Sequence, residues 1–65
     1  MKFTLSQRFR LEGTLYEVVG FLRRDGINYC TFREVLESGQ LGESKQTLSY
    51  AYIEAAMEEG SIVIA

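Results

Sequence analysis

The stretch that decides the fold is RLEGTLYEVVGFLRRDGINYCTF, residues 10–32. It contains Glu12-Gly13 and Asp25-Gly26, which can be interpreted as two-residue β-hairpin turns of the type that needs positive φ. The residues between the two dipeptides are rich in β-branched and aromatic side chains, which favour strands. The segment therefore predicts two consecutive tight hairpins, and so a three-stranded antiparallel meander.

Counting outward from the turns gives the register of both hairpins. The first hairpin should contain one aromatic pair and one ion pair, because its facing residues are Leu11 and Thr14, Arg10 and Leu15, Phe9 and Tyr16, and Arg8 and Glu17. In the second hairpin we expect Leu22 to face Tyr29, Phe21 to face Cys30, and Val19 to face Phe32. Strand alternation then predicts one apolar face, made of Phe9, Leu11, Tyr16, Val18, Leu22, Ile27 and Tyr29.

A helix is the alternative for residues 14–24. Leu15, Val18, Val19 and Leu22 have helical spacing, and Thr14-x-x-Glu17 matches a capping box. Against the helix stand Gly20 in its interior and the adjacent β-branched Val18 and Val19. The strands are favoured, and the helix stays open as the alternative.

The second half of the chain predicts a loop at residues 38–42, a helix at about 47–59 with Ser49 as its N-cap, and a stop at Gly60. The apolar residues Ile62, Val63 and Ile64 should form a short C-terminal strand, which closes the sheet or pairs with a second chain. The expected fold is a small α+β domain spanning residues 1–65: a three-stranded antiparallel meander followed by one helix and a terminal strand.

Composition excludes several functional classes. The chain has no His and one cysteine, Cys30, so it cannot build a Cys/His zinc site, an internal disulfide or a histidine-based catalytic centre. We therefore expect no enzyme activity, no cofactor and no metal. No apolar run is long enough to span a bilayer, and the opening residues lack a signal-peptide core, so a cytoplasmic location is expected.

Charge is divided unevenly along the sequence. Residues 1–33 contain six basic and three acidic side chains, whereas residues 34–65 contain one basic and six acidic ones. Such asymmetry selects partners by the sign of their charge.

The second face of the predicted meander offers a partner surface, because it would carry arginines among aromatic rings. The residues expected there are Arg8, Arg10, Phe21, Arg23 and Phe32. Arginine pairs with the carboxylates of an acidic protein, and the same combination suits single-stranded nucleic acid. We expect a protein-binding adaptor, regulator or inhibitor, of the kind that phages and mobile elements encode, with a homodimer through the terminal strand as a compatible state.

Under the helical alternative, the order of TFREVL at residues 31–36, SKQTLS at 44–49, a helix ending in Glu58-Glu59-Gly60, and SIVI at 61–64 resembles the core of winged helix-turn-helix regulators. The resemblance covers residues 14–65. It implies a recognition helix that offers nucleic acid the side chains of Lys45, Gln46, Ser49 and Tyr50. Because Glu54, Glu58 and Glu59 on that helix would repel phosphates, such a member would sooner bind protein.

Overall fold

The structure of the chain is a computed structural model, and it describes residues 3–65. Its elements in chain order are β1 (Arg8–Leu11), β2 (Thr14–Arg24), β3 (Ile27–Val35), β4 (Leu41–Ser49), α1 (Tyr50–Glu59) and β5 (Ile62–Ile64). The five strands form an antiparallel sheet in the order β4-β3-β2-β1-β5, with α1 packed on one face. The predicted α+β class is confirmed, but the meander contains four strands.

Both predicted turns are present. Glu12 and Gly13 have φ values of 51° and 88°, and Asp25 and Gly26 have φ values of 54° and 78°. All four residue pairs expected between β1 and β2 occur, including the pair of Phe9 with Tyr16. Residues 14–24 are therefore a strand, and the helical alternative for them is wrong.

The second hairpin differs from the prediction at one point. Val18 faces Phe32 and Gly20 faces Thr31, so Val19 is an extra residue in β2 that forms a β-bulge. The predicted pair of Val19 with Phe32 is wrong by one residue. Since side chains alternate along a strand, the bulge reverses the face of each residue beyond it. The predicted apolar face is therefore divided: Leu22, Ile27 and Tyr29 lie on the opposite face from Phe9, Leu11, Tyr16 and Val18.

The fourth strand replaces the last two residues of the predicted loop, the beginning of the predicted helix and the residues between them. The actual loop comprises residues 36–40, two residues earlier than predicted. In it, Gly39 N–H donates to Leu36 O, and Leu36 N–H donates to Gln40 O, both at 2.8 Å. Residues 41–49 then pair with β3, which places Thr47 beside Thr31. Pairing along β3 provides backbone hydrogen bonds that the sequence of β4 alone does not reveal, and it outweighs a helical start at residue 47.

Helix α1 begins at Tyr50 and is capped as predicted. The Ser49 Oγ accepts a hydrogen bond from the Tyr52 N–H at 3.1 Å, and Gly60 ends the helix with φ 87°. Because residues 44–49 belong to β4, there is no recognition helix in that position, and the implied winged helix-turn-helix architecture is wrong.

The core lies between α1 and the sheet. Strand β5 pairs with β1, with Ile62 facing Leu11 and Ile64 facing Phe9, which brings the end of the chain back to its beginning. The buried apolar side chains are those of Phe3, Phe9, Val18, Cys30, Phe32, Ile53, Ala56 and Ile62. Helix α1, the one helix of residues 3–65, is too short to cross a membrane.

Candidate functional site

The sheet has a core face, which packs against α1, and an opposite face that no helix or strand of residues 3–65 covers. We call the latter the open face. Alternation from the cross-strand pairs assigns to it five cationic residues, Arg8, Arg10, Arg24, Arg33 and Lys45, together with the acid Glu17. The other side chains assigned to it by the same pairs are Leu15, Leu22, Ile27, Tyr29, Thr31, Val35, Leu41, Thr47, Ser49 and Val63.

Two of the five cations already have partners. Arg8, Glu17, Arg33 and Lys45 lie side by side across four strands. The Arg8 Nε donates to Glu17 Oε1 at 3.0 Å, and the Arg33 Nε donates to the carbonyl oxygen of Gly42.

The remaining cations, Arg10, Arg24 and Lys45, have no ion-pair partner within residues 3–65. Arg10 and Lys45 are exposed on different strands, and Arg24 is exposed beside the Asp25-Gly26 turn. These three side chains are therefore the ones available to bind a negatively charged partner.

A shallow cavity of about 330 Å³ lies on the open face, between Leu22, Arg24, Tyr29 and Thr47. Leu22 and Tyr29 face each other across β2 and β3, and the side chain of Leu22 is 38% exposed. Beside the cavity, Ile27 is 48% exposed. This end of the open face thus combines apolar contact area with the free guanidinium of Arg24.

The opposite side of the molecule carries the other sign of charge. Helix α1 contains no basic residue, and Glu54, Glu58 and Glu59 on it are exposed. The uneven charge seen along the sequence therefore becomes a difference between two sides of the structure. The electrostatic potential of the open face therefore favours negatively charged groups more than that of the exposed side of α1 does.

The structure divides the five residues predicted to form one partner surface. Arg8 and Arg10 lie on the open face, but the bulge places Phe21, Arg23 and Phe32 on the core face. Their grouping on one face was wrong. Phe32 is fully buried, so it cannot contact a partner of the folded chain.

Phe21 and Arg23 lie beyond the buried core, near the end of the hairpin. The ring of Phe21 contacts that of Tyr50 with centroids 6.3 Å apart, and the Arg23 Nη1 donates to Asn28 Oδ1 at 3.1 Å. In their place the open face presents Leu22, Arg24 and Tyr29, which the sequence interpretation missed. Gly20 was the available signal, because glycine inside a strand often marks a bulge.

The residues of the implied recognition helix do not form one surface. Lys45 lies on the open face, whereas Gln46 is on the core face and donates to Tyr16 Oη at 3.4 Å. Ser49 is occupied as the helix cap, and Tyr50 packs against Phe21.

The terminal strand closes one side of the sheet. Ile62 is buried, whereas Val63 and Ile64 are 57% and 42% exposed. The outer edge of β5 has no partner strand within the described part of the chain. Pairing of Ile62, Val63 and Ile64 with a second copy stays a prediction.

The open face offers guanidinium groups for carboxylates and apolar area for side chains, which together suit binding. The described residues contain no group of His, Cys, Asp and Glu side chains that could hold a metal ion. No family model, curated protein or solved structure matches this chain.

The Cys30 thiol is expected to be unreactive in the folded protein. It is fully buried, and burial raises its pKa from 9.0 to about 11, so the nucleophilic thiolate is scarce at neutral pH. Iodoacetamide should leave the mass of the native protein unchanged at pH 8 and add one carboxamidomethyl group in concentrated guanidinium chloride. Rapid modification without denaturant would contradict the buried position of Cys30.

Proposed function

We propose that this chain is a non-enzymatic binding module that docks an acidic segment of a protein partner on its open face, as an adaptor, regulator or inhibitor. The observation that carries the proposal is the combination of unpaired Arg10, Arg24 and Lys45 with exposed Leu22 and Ile27 on one uncovered sheet face. Protein interfaces are enriched in arginine and aromatic residues and contain apolar area of this kind.

Single-stranded nucleic acid is the second candidate for the same surface, because phosphates also bind arginine and lysine. Sequence-independent binding of single strands uses several aromatic rings on which successive bases stack. Of the side chains assigned to the open face, only Tyr29 is aromatic. The apolar residues Leu22, Ile27 and Val63 suit a protein partner better.

The test uses adjacent arginines whose side chains lie on opposite faces. Arg24→Glu reverses a charge on the open face, and Arg23→Glu makes the same change on the core face. The probe is a short, blocked peptide that alternates glutamate with valine, titrated into the ¹⁵N-labelled 65-residue chain at about 0.15 M salt. We expect Arg24→Glu to weaken binding about tenfold or more, which equals about 1.4 kcal/mol, and Arg23→Glu to weaken it much less.

The amide signals that shift should belong to the open-face strands and not to α1. Equal losses in the two variants, or no shift at open-face amides, would overturn the proposal. A thymidine oligonucleotide titrated in parallel separates the second candidate. If it binds more tightly than the peptide and its affinity falls steeply with salt, the open face is a nucleic-acid site.

A further inference from the structure

We infer that the cavity between Leu22, Arg24, Tyr29 and Thr47 is the specificity pocket of the open face, taking one large apolar side chain from an acidic protein segment while a neighbouring carboxylate of that segment pairs with Arg24. The inference rests on the proposed function and adds to it the kind of sequence that the partner must contain. It predicts that charge alone does not select the partner.

The size of the cavity fits one side chain. Pockets that enclose small molecules have volumes of roughly 300–1,000 Å³, so a shallow cavity of about 330 Å³ lies at the lower limit of that range. A phenylalanine, leucine or methionine side chain can enter such a space while the rest of its segment stays over the sheet. This is the geometry of a single anchor residue in a protein interface.

The lining of the cavity selects an apolar occupant. Leu22 is 38% exposed, and Tyr29, its cross-strand partner, lines the same cavity. Thr47 completes the lining from β4, with its hydroxyl 3.3 Å from that of Thr31. Burying this apolar area against another side chain is favourable in proportion to the area removed from water.

Arg24 supplies the second half of the specificity. It lines the same cavity and has no ion-pair partner in the part of the chain that the structure describes. A guanidinium binds a carboxylate through two parallel hydrogen bonds, which fixes both distance and orientation. The preferred segment therefore has a large apolar residue with an aspartate or glutamate close to it in sequence.

The experiment compares two probe peptides that differ at one position. Both alternate glutamate with valine, but one has phenylalanine at its centre and the other has serine. We expect the wild-type chain to bind the phenylalanine peptide about tenfold more tightly. Intermolecular nuclear Overhauser effects should connect the peptide ring to the Thr47 methyl group and to Tyr29. This comparison does not depend on any variant of the protein.

A substitution that fills the cavity gives a second test, and the neighbouring residue offers a matched control. Thr47→Tyr places a ring in the cavity at an exposed strand position, and Gln46→Tyr places the same ring on the other face of β4. Thr47→Tyr should abolish the preference for the phenylalanine peptide while leaving the serine peptide bound. Gln46→Tyr should retain the preference.

The outcomes separate this inference from the function on which it rests. If wild type binds both peptides equally and Arg24→Glu weakens both, the pocket is overturned and the acidic-partner function stands. If neither peptide binds, both fail. A preference that persists in a folded Thr47→Tyr variant overturns the pocket alone.

Discussion

Phe32→Ala is expected to unfold the protein. Phe32 is fully buried, and its ring makes edge-to-face contacts with Phe9 and Tyr16, both at a centroid distance of 5.0 Å. Truncating a buried phenylalanine to alanine costs about 3–5 kcal/mol. A domain of fewer than about 70–80 residues is rarely more stable than that amount, so the variant loses its folded state.

The matched control is Phe21→Ala, which removes the same atoms from a ring that is 41% exposed. We expect it to lower the free energy of unfolding by about 1 kcal/mol and to leave the fold intact. Urea denaturation followed by circular dichroism measures both variants. A Phe32→Ala variant as stable as Phe21→Ala would contradict the position of Phe32 in the core. Because Phe32→Ala should unfold the protein, a loss of binding in this variant would not show that Phe32 contacts a partner.

The parts of the fold that were predictable are those fixed by local sequence. Glu12-Gly13 and Asp25-Gly26 specify turns in which both residues have positive φ, and counting from a two-residue turn gives the neighbouring pairs. The cap at Ser49 and the stop at Gly60 are likewise local, since each depends on one side chain or one backbone conformation.

The bulge at Val19 was not predictable by counting, because a regular ladder and a bulged one use the same turn. Its consequence for function is large. A shift of one residue exchanged Arg23 for Arg24, and Phe21 for Leu22, on the exposed side of the sheet. The alternation of side chains makes a strand easy to recognise. Because of that alternation, a single extra residue also changes which side chains are exposed.

Strand β4 was missed for a different reason. Its residues, LGESKQTLS, are mostly polar and exposed, since it is an edge strand that pairs on one side only. Its stability comes from pairing with β3, which the polar sequence of β4 alone does not reveal. Residues 47–49, which end in the helix cap Ser49, were therefore interpreted as the start of the helix.

Ile53→Asp is expected to detach helix α1 from the sheet and to unfold the domain. The helix has ten residues, which is too short to be stable alone in water. Its C-terminal end is also destabilised, because Glu58 and Glu59 add negative charge beside the partial negative charge of the last carbonyl groups. Packing holds it in place through Ile53 and Ala56, its two buried residues.

An aspartate at position 53 would have to leave water without a partner in this apolar core, at a cost of several kcal/mol. The adjacent substitution Tyr52→Asp is the control, since Tyr52 is 55% exposed and an acid in the first turn interacts favourably with the helix dipole. It should change the free energy of unfolding by less than about 1 kcal/mol. Helical ellipticity at 222 nm and the urea midpoint distinguish the two variants. If Ile53→Asp kept the midpoint of the wild type, packing at residue 53 would not be what holds the helix, and the division into a core face and an open face would lose its basis.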